Sequence, residues 1–220
     1  MNSYEEWISI SGRNPVIAVL VVDEVEDAVP LAESLLAGGI GAMELTLRTP
    51  AALDSLKLIR ENVPDMTVGA GTVLTREQVN SVKAAGARFA VAPGLNRNVI
   101  SEARDKSVLF APGIATPSDI EAALELNCRV MKFFPAEPSG GLSYLKSMAA
   151  PYLHMGVRFI PLGGLDISNM RDWLSNPMVC SVGGSWIAPR DLIRNKEWDK
   201  IRARAEAAAE IASSIEKEIK

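Results

Sequence analysis

The feature that most constrains the fold is a regular alternation of apolar segments with amphipathic segments. Eight short runs rich in β-branched residues begin about 20 to 30 residues apart, which predicts strands at 16–22, 41–47, 67–71, 87–92, 108–112, 129–134, 157–162 and 179–182. Apolar residues at helical spacing predict helices between them, at 25–36, 51–61, 75–85, 98–106, 117–126, 142–149 and 168–175. Thr75 and Thr116 are predicted to cap two of these helices. Nearly continuous apolar strands indicate a parallel sheet buried on both faces.

Eight βα units predict an α/β fold of the (β/α)8 TIM barrel type. No linker divides the chain, so residues 1–220 are predicted to form a single domain with an N-terminal helical extension and a C-terminal helix. That last helix, after Trp198, is expected to pack on the barrel or on a neighbouring subunit. A doubly wound open sheet is the alternative, but Val22 runs into Asp23 and Glu24, where a dinucleotide-binding sheet would carry a glycine-rich loop.

Charge and composition exclude several classes of function. The chain of 220 residues has 23 Lys and Arg against 27 Asp and Glu, a net charge of −4, so neither nucleic acid nor an anionic membrane is an expected partner. Cys128 and Cys180 lack CxxC spacing, which argues against a disulfide framework or a zinc site and fits the cytoplasm. The acidic N-terminus and the lack of an apolar run of about 20 residues predict neither a signal peptide nor a membrane span.

The chain has one histidine, His154, which is too few for a histidine-rich metal site and leaves a Ser-His-Asp triad only one possible base. His154 is expected at the surface, and the two cysteines are expected to be inert packing residues. If the chain is an enzyme, its acid and base are therefore expected to be carboxylates and lysines, with no metal or cofactor. Glu137 and Lys146 are expected to make only weak interactions at the rim.

The second predicted strand carries polar residues where an apolar barrel interior is expected. The two-residue period of a strand sends Met43, Leu45 and Leu47 to one face and Glu44, Thr46 and Arg48 to the other. Because catalytic groups of barrels lie at the carboxyl ends of strands, Glu44 and Arg48 are candidate site residues. The alternative is a structural ion pair between Glu44 and Arg48.

A lysine interrupts the sixth predicted strand. Lys132 lies within an apolar run beside Phe133 and Phe134, and a buried ammonium must be paired, reach solvent or lose its proton. The neutral amine is the form that attacks a carbonyl, so Lys132 is a candidate Schiff-base nucleophile, with Arg48 able to clamp a substrate carboxylate. The alternative is a structural salt bridge between Lys132 and Glu44.

Glycine pairs follow the last two predicted strands, at Gly163-Gly164 and Gly183-Gly184. Barrels often bind phosphate in the loops after strands seven and eight, and Ser185 adds a hydroxyl there. The alternative is that these glycines serve close packing at barrel corners. Gly69 and Gly71 are interpreted as allowing close approach to substrate, with Thr72 as a hydrogen-bonding hydroxyl.

Five motifs in order resemble the 2-keto-3-deoxy-6-phosphogluconate aldolase family, which includes members that cleave 4-hydroxy-2-oxoglutarate. They are ELTLRT at 44–49, VGAGTVL at 68–74, PG at 93–94, KFFPAE at 132–137 and GGSW at 183–186. The resemblance implies that Lys132 is the Schiff-base lysine and Glu44 the proton-transferring carboxylate. It also implies substrate-binding roles for a further set: Arg48, Thr72, Pro93, Phe134, Leu162, Gly163, Gly164, Gly184 and Ser185.

The implied activity is a class I aldol cleavage. Lys132 condenses with the C2 ketone, Glu44 takes the C4 hydroxyl proton by way of water, and the products are pyruvate and glyceraldehyde 3-phosphate. The resemblance further implies a homotrimer and a place in the Entner–Doudoroff pathway of carbohydrate metabolism.

Leu162 departs from the family pattern, because phosphogluconate-type members usually have threonine or serine there. An aliphatic residue resembles the galactonate-type aldolases, whereas Val21 and Val22 resemble the phosphogluconate type. Three alternatives to the main activity therefore stay open: cleavage of 4-hydroxy-2-oxoglutarate to pyruvate and glyoxylate, cleavage of 2-keto-3-deoxy-6-phosphogalactonate, and a non-catalytic phosphometabolite-binding barrel.

Overall fold

The computed structural model describes residues 3–219, so residues 1, 2 and 220 of the predicted domain lie outside the described residues. Its strands are β1 (Val16–Leu20), β2 (Ala42–Thr46), β3 (Thr67–Gly71), β4 (Ala90–Val91), β5 (Phe110–Ala111), β6 (Gly113–Ile114), β7 (Val130–Phe133), β8 (Arg158–Pro161) and β9 (Val182–Gly184). Its helices are α1 (Ser3–Arg13), α2 (Ala28–Ala37), α3 (Ala52–Asn62), α4 (Arg76–Ala84), α5 (Arg97–Asp105), α6 (Pro117–Glu125), α7 (Gly141–Ala149), α8 (Met170–Leu174), α9 (Arg190–Arg194) and α10 (Trp198–Ile219). Strands and helices alternate from β1 to β9, as predicted, except that β6 follows β5 without a helix between them.

Local signals set most helix boundaries. Thr75 accepts a hydrogen bond from the Gln78 backbone while the Gln78 side chain accepts one from Thr75, and Thr116 and Asp119 form the same reciprocal cap on α6. Both predicted caps are confirmed. The strands are less well predicted: the run 87–92 forms only the two residues of β4, and the last strand begins at Val182 and not at residue 179. Helix α9 was not predicted.

The parallel strands form a curled sheet in two parts. One part has the order β5-β4-β3-β2-β1-β9 and the other β6-β7-β8. The predicted continuous eight-stranded sheet is therefore not found. One break lies at Pro112, which separates β5 from β6 and has no N–H to donate. At the other, β8 meets the residues before β9 through a single bridge between Phe159 and Val179. The order does not reverse beside β1, as a doubly wound sheet requires.

Two apolar clusters lie on opposite faces of the curled sheet. The larger packs the outward strand residues, such as Met43 and Phe133, against the helices. The smaller is the inner cluster, formed by inward strand residues and by α1: Trp7, Ile10, Ile17, Ala42, Phe89, Val91, Leu109, Ala111, Val130, Ile160 and Leu162. Because Ile17, Ala42 and Val130 lie near the start of their strands, α1 covers the amino ends, and the carboxyl ends stay open.

The minor sequence expectations have clear outcomes. His154 is exposed in the 3-10 turn Ala150–Met155, as predicted. Both cysteines are free, and burial raises the pKa of the Cys128 and Cys180 thiols to about 11, which agrees with inert packing residues. None of the helices of residues 3–219 is long and apolar enough to cross a bilayer.

Candidate active site

A cavity of about 180 Å³ opens at the carboxyl ends of the strands. It is lined by residues of β1, β2, β7 and β9 and of the segments that follow β2, β3, β4, β7, β8 and β9: Val19, Glu44, Thr46, Arg48, Thr72, Pro93, Lys132, Phe134, Leu162, Gly163, Gly184 and Ser185. Every predicted site residue except Gly164 is among them. A cavity of about 290 Å³ between α1 and α5 is larger, but it contains no buried lysine or carboxylate pair.

Lys132 and Glu44 form an ion pair on the cavity wall. The distance from Lys132 Nζ to Glu44 Oε1 is 3.2 Å, and the two residues are only 5% and 2% exposed. The Lys132 ammonium lies 5.5 Å from the centre of the Phe134 ring. Two buried charges lose most of their hydration, so such a pair contributes little to stability and is typical of a functional site. The alternative of an ion pair between Glu44 and Arg48 is not found among residues 3–219, where Glu44 pairs with Lys132 instead.

Gly71 gives the Glu44 carboxylate its position. A Cβ at residue 71 would overlap Glu44 Oε1, and a Cβ at Gly69 would overlap the Phe89 ring. The interpretation that these glycines let substrate approach is therefore corrected: they make room for side chains of the protein. In the register of β2 and β3, Glu44 pairs with Gly69 and Thr46 pairs with Gly71, so the Glu44 side chain extends toward the next pair along the strands.

Thr46 holds Arg48 at the mouth of the cavity. Its buried hydroxyl donates to the Leu20 carbonyl (2.9 Å) and accepts from Arg48 Nε (3.1 Å). The guanidinium is thereby oriented, and its other N–H groups are available for two parallel bonds to a carboxylate. Thr46 was seen on the interior face of its strand but was missed as a site residue.

Two backbone features shape the wall between β3 and β6. Thr72 has φ +59°, a left-handed conformation that is rare for a β-branched residue and costs about 1–3 kcal/mol. Pro93 lies against Gly113, where any Cβ would overlap the Pro93 carbonyl. Strain of this kind concentrates at functional sites, and here it accompanies a hydroxyl in the cavity lining.

The two glycine-rich loops meet at one side of the cavity. Gly163 and Gly184 line it, Ser185 is exposed at its mouth, and Gly164 lies behind its neighbour against Glu137. The expectation of a weak rim interaction for Glu137 is wrong. This carboxylate is half-buried and accepts a 2.8 Å hydrogen bond from Trp173 Nε1.

Metal binding has no ready ligand set in the part of the chain that is described. Residues 3–219 contain no group of three or more His, Cys, Asp or Glu side chains placed to hold an ion. The chemistry available in the cavity is that of an amine, a carboxylate, a guanidinium and hydroxyl groups.

Comparisons with known proteins agree on one family. The model of the KDPG and KHG aldolase family matches residues 8–204. The chain is 42% identical to the 2-dehydro-3-deoxy-phosphogluconate aldolase of Dickeya dadantii, over 88% of this chain and 90% of that protein. It is 41% identical to the KHG/KDPG aldolase of Escherichia coli K12, over 92% and 94%.

The solved structures give the same result. A KDPG aldolase of Legionella pneumophila, with pyruvate captured as a covalent carbinolamine intermediate, superposes with a TM-score of 0.87. It is 41% identical, and the match covers 91% of this chain and 97% of that one. With a family model matched over most of its length and relatives above 40% identity, the chain belongs to the KDPG and KHG aldolase family.

Proposed function

We propose that this protein is a class I aldolase that cleaves 2-keto-3-deoxy-6-phosphogluconate to pyruvate and glyceraldehyde 3-phosphate. The observation that carries the proposal is the buried pair of Lys132 and Glu44, 3.2 Å apart in a cavity open to solvent. The relatives named for this activity, and the carbinolamine captured in the Legionella enzyme, support it.

The first half of the reaction forms the covalent intermediate. Glu44 accepts a proton from Lys132, and the neutral amine adds to the C2 ketone of the substrate to form a carbinolamine. Glu44, now protonated, returns the proton to the C2 hydroxyl, which leaves as water and gives the protonated imine. Arg48 binds the substrate carboxylate and so aligns the ketone with Lys132 Nζ.

The second half breaks the C3–C4 bond. The protonated imine receives the electron pair of that bond and becomes an enamine, while the C4 hydroxyl proton passes to Glu44 through water and glyceraldehyde 3-phosphate departs. Glu44 then returns a proton to C3, and water hydrolyses the resulting imine to release pyruvate and free Lys132. The backbone near Gly163, Gly164 and Gly184, with Ser185, is proposed to hold the phosphate.

Borohydride trapping tests the covalent step. Incubation with pyruvate and borohydride is expected to add a reduced pyruvate adduct to the peptide that contains Lys132, detected by mass spectrometry. Lys132→Ala is expected to lose the adduct and to lower kcat more than about 1,000-fold, as removal of a nucleophile does. Lys146→Ala, at an exposed lysine of α7, is the control and should keep both the adduct on Lys132 and the wild-type kcat. An unmodified Lys132, as in a non-catalytic binding barrel, would overturn the proposal.

Two other substrates are favoured by specific observations. The Escherichia coli relative is named for both KHG and KDPG, so cleavage of 4-hydroxy-2-oxoglutarate is a second candidate activity. Leu162, 4% exposed in the cavity wall, has no hydroxyl to offer the C4 position, which favours the galactonate epimer as a third candidate. Measured values of kcat/KM for the two phosphorylated epimers and for 4-hydroxy-2-oxoglutarate rank the three candidate activities.

We also propose that the two sheet segments belong to one closed (β/α)8 barrel in a single domain. The supporting bonds span both breaks: Gly113 N of β6 donates to the carbonyl of Gly94, beyond β4 (3.2 Å), and Cys180 N donates to the Phe159 carbonyl (3.0 Å). The homotrimer, the cytoplasmic location and the place in the Entner–Doudoroff pathway remain proposals. Sedimentation analysis tests the first, and the free thiols of both cysteines support the second.

A further inference from the structure

Three successive carbonyl groups of the loop after β8 accept hydrogen bonds from other parts of the protein. The Leu162 carbonyl accepts from Ala136 N (2.7 Å), the Gly163 carbonyl from Glu137 N (2.9 Å), and the Gly164 carbonyl from Asn169 Nδ2 (3.2 Å). Within residues 3–219, the N–H groups of Gly163 and Gly164 have no such partner. The φ angles of Gly163 and Gly164 are +96° and +85°, which is a left-handed backbone conformation. Successive N–H groups in such a turn can both donate hydrogen bonds to one anion.

Glu137 connects the groups that hold this loop. Its Oε1 accepts from Trp173 Nε1 (2.8 Å) and from Asn169 Nδ2 (3.4 Å), the same amide that bonds the Gly164 carbonyl. The stem of Glu137 packs directly on Gly164, where a Cβ would come within 2.6 Å of Glu137 Cβ. One side chain therefore supports the glycine pair both by contact and through a hydrogen-bonded neighbour.

The same network reaches the strand that carries Lys132. Trp173 is 1% exposed, and its ring lies 6.2 Å from that of Phe133, the residue after Lys132. The loop after β7, the loop after β8 and helix α8 are thus joined through Glu137, Asn169 and Trp173. A carboxylate in this position is held away from the cavity, because Glu137 does not line it.

From these contacts we propose that Glu137 is a positioning residue that keeps the Gly163–Gly164 backbone in the conformation that binds the substrate phosphate. The inference rests on the proposed function, since it needs a phosphorylated substrate. Through this backbone, Glu137 affects only the phosphate end of the substrate. Its loss should therefore weaken recognition of the phosphate while the amine chemistry at Lys132 continues.

The test compares 2-keto-3-deoxy-6-phosphogluconate with the same acid lacking its phosphate. In Glu137→Ala, KM for the phosphorylated acid is expected to rise at least about tenfold with kcat little changed, the effect of losing a hydrogen-bond network at a binding loop. The kcat/KM for the unphosphorylated acid should stay within about twofold of wild type. Glu137→Gln keeps the stem and one oxygen for Trp173 and should restore most of the lost affinity.

Controls separate positioning from folding. The Glu121 carboxylate also accepts a 2.8 Å hydrogen bond from an aromatic side chain, that of Tyr152, but it lies outside the cavity lining. Glu121→Ala should therefore leave kcat/KM unchanged for both acids. If Glu137→Ala does not fold, Asn169→Ala, which removes the bond to the Gly164 carbonyl, is measured instead. An unchanged ratio of the two kcat/KM values in a folded variant would overturn the inference. A wild-type protein that cleaves neither acid would count against the proposed function itself.

Discussion

Gly71 has no side chain, and the Glu44 carboxylate occupies the space that a side chain would fill. A methyl group at residue 71 must displace the carboxylate from its 3.2 Å contact with Lys132 Nζ. At the scale of a single residue, the position of the Glu44 carboxylate therefore depends on a neighbour that has no side chain of its own.

Gly71→Ala is expected to lower kcat about 100-fold, since misplacing a reacting group by about 1 Å has that effect. The overlap should also lower the free energy of unfolding by about 1–3 kcal/mol. Gly12→Ala is the control, because a Cβ at Gly12 meets nothing within 4 Å. Steady-state kinetics and urea unfolding measure both effects, and a Gly71→Ala variant with wild-type kcat would contradict the assignment of Glu44.

Thr46 gives a second prediction at this scale. Thr46→Val removes the hydroxyl that bonds Arg48 Nε and the Leu20 carbonyl, so KM for the keto acid should rise about tenfold while kcat changes little. Thr46→Ser keeps the hydroxyl and should restore KM. The hypothesis fails if both variants have the same KM.

At the scale of elements, ion pairs join helix α9 to the segment that follows β1. Asp23 accepts hydrogen bonds from Arg190 and from Arg194 Nε (2.7 Å), both of α9. These two guanidinium groups hold the pKa of the Asp23 carboxyl well below its usual range. Because Leu192 and Ile193 of α9 are also buried in the larger apolar cluster, the ion pairs add a second attachment for this short helix.

The depressed pKa predicts how acid affects stability. Because folded Asp23 binds its proton more weakly than unfolded Asp23, whose pKa is about 3.9, the ion pairs stabilise the fold fully above that pH and lose their effect gradually as the pH falls from there through the lower folded pKa. Asp23→Asn should therefore be destabilising at pH 6 and measurably less so at pH 3. Urea unfolding at both pH values measures the difference, with Asp65→Asn, an exposed carboxylate, as control. An equal loss at the two pH values would show that the pairs contribute nothing.

At the scale of the whole molecule, the two ends of the curled sheet differ: the amino ends are packed against a helix, and the carboxyl ends form the cavity. Helix α1 covers the amino ends, with Trp7 2% exposed and its ring 5.3 Å from that of Phe89, while the cavity lies at the carboxyl ends. Stability and chemistry are thus built from the same strands but from different residues along them.

Trp7→Ala is expected to lower the free energy of unfolding by about 3–5 kcal/mol, the cost of a large cavity in an apolar cluster. KM should be unchanged, because Trp7 is remote from the carboxyl ends. Trp7→Phe should cost less, because Trp7 Nε1 is buried without a hydrogen-bond partner among the described residues and phenylalanine lacks that donor. A change in KM in folded Trp7→Ala would contradict this separation of the two ends.

The sequence by itself determined the alternation of strands and helices, the capped starts of α4 and α6, and three residues of the cavity, Lys132, Glu44 and Arg48. These follow from short-range periodicity and from the cost of placing charge in an apolar strand, both of which can be read along the chain. The partner of Glu44, the place of Gly71 beneath it, the break at Pro112 and the support of Gly164 by Glu137 were decided only in the tertiary structure. The contacts of Glu44 with Lys132 and Gly71 and of Glu137 with Gly164 join segments distant in sequence, and such contacts depend on strand register and on the space left by neighbouring side chains.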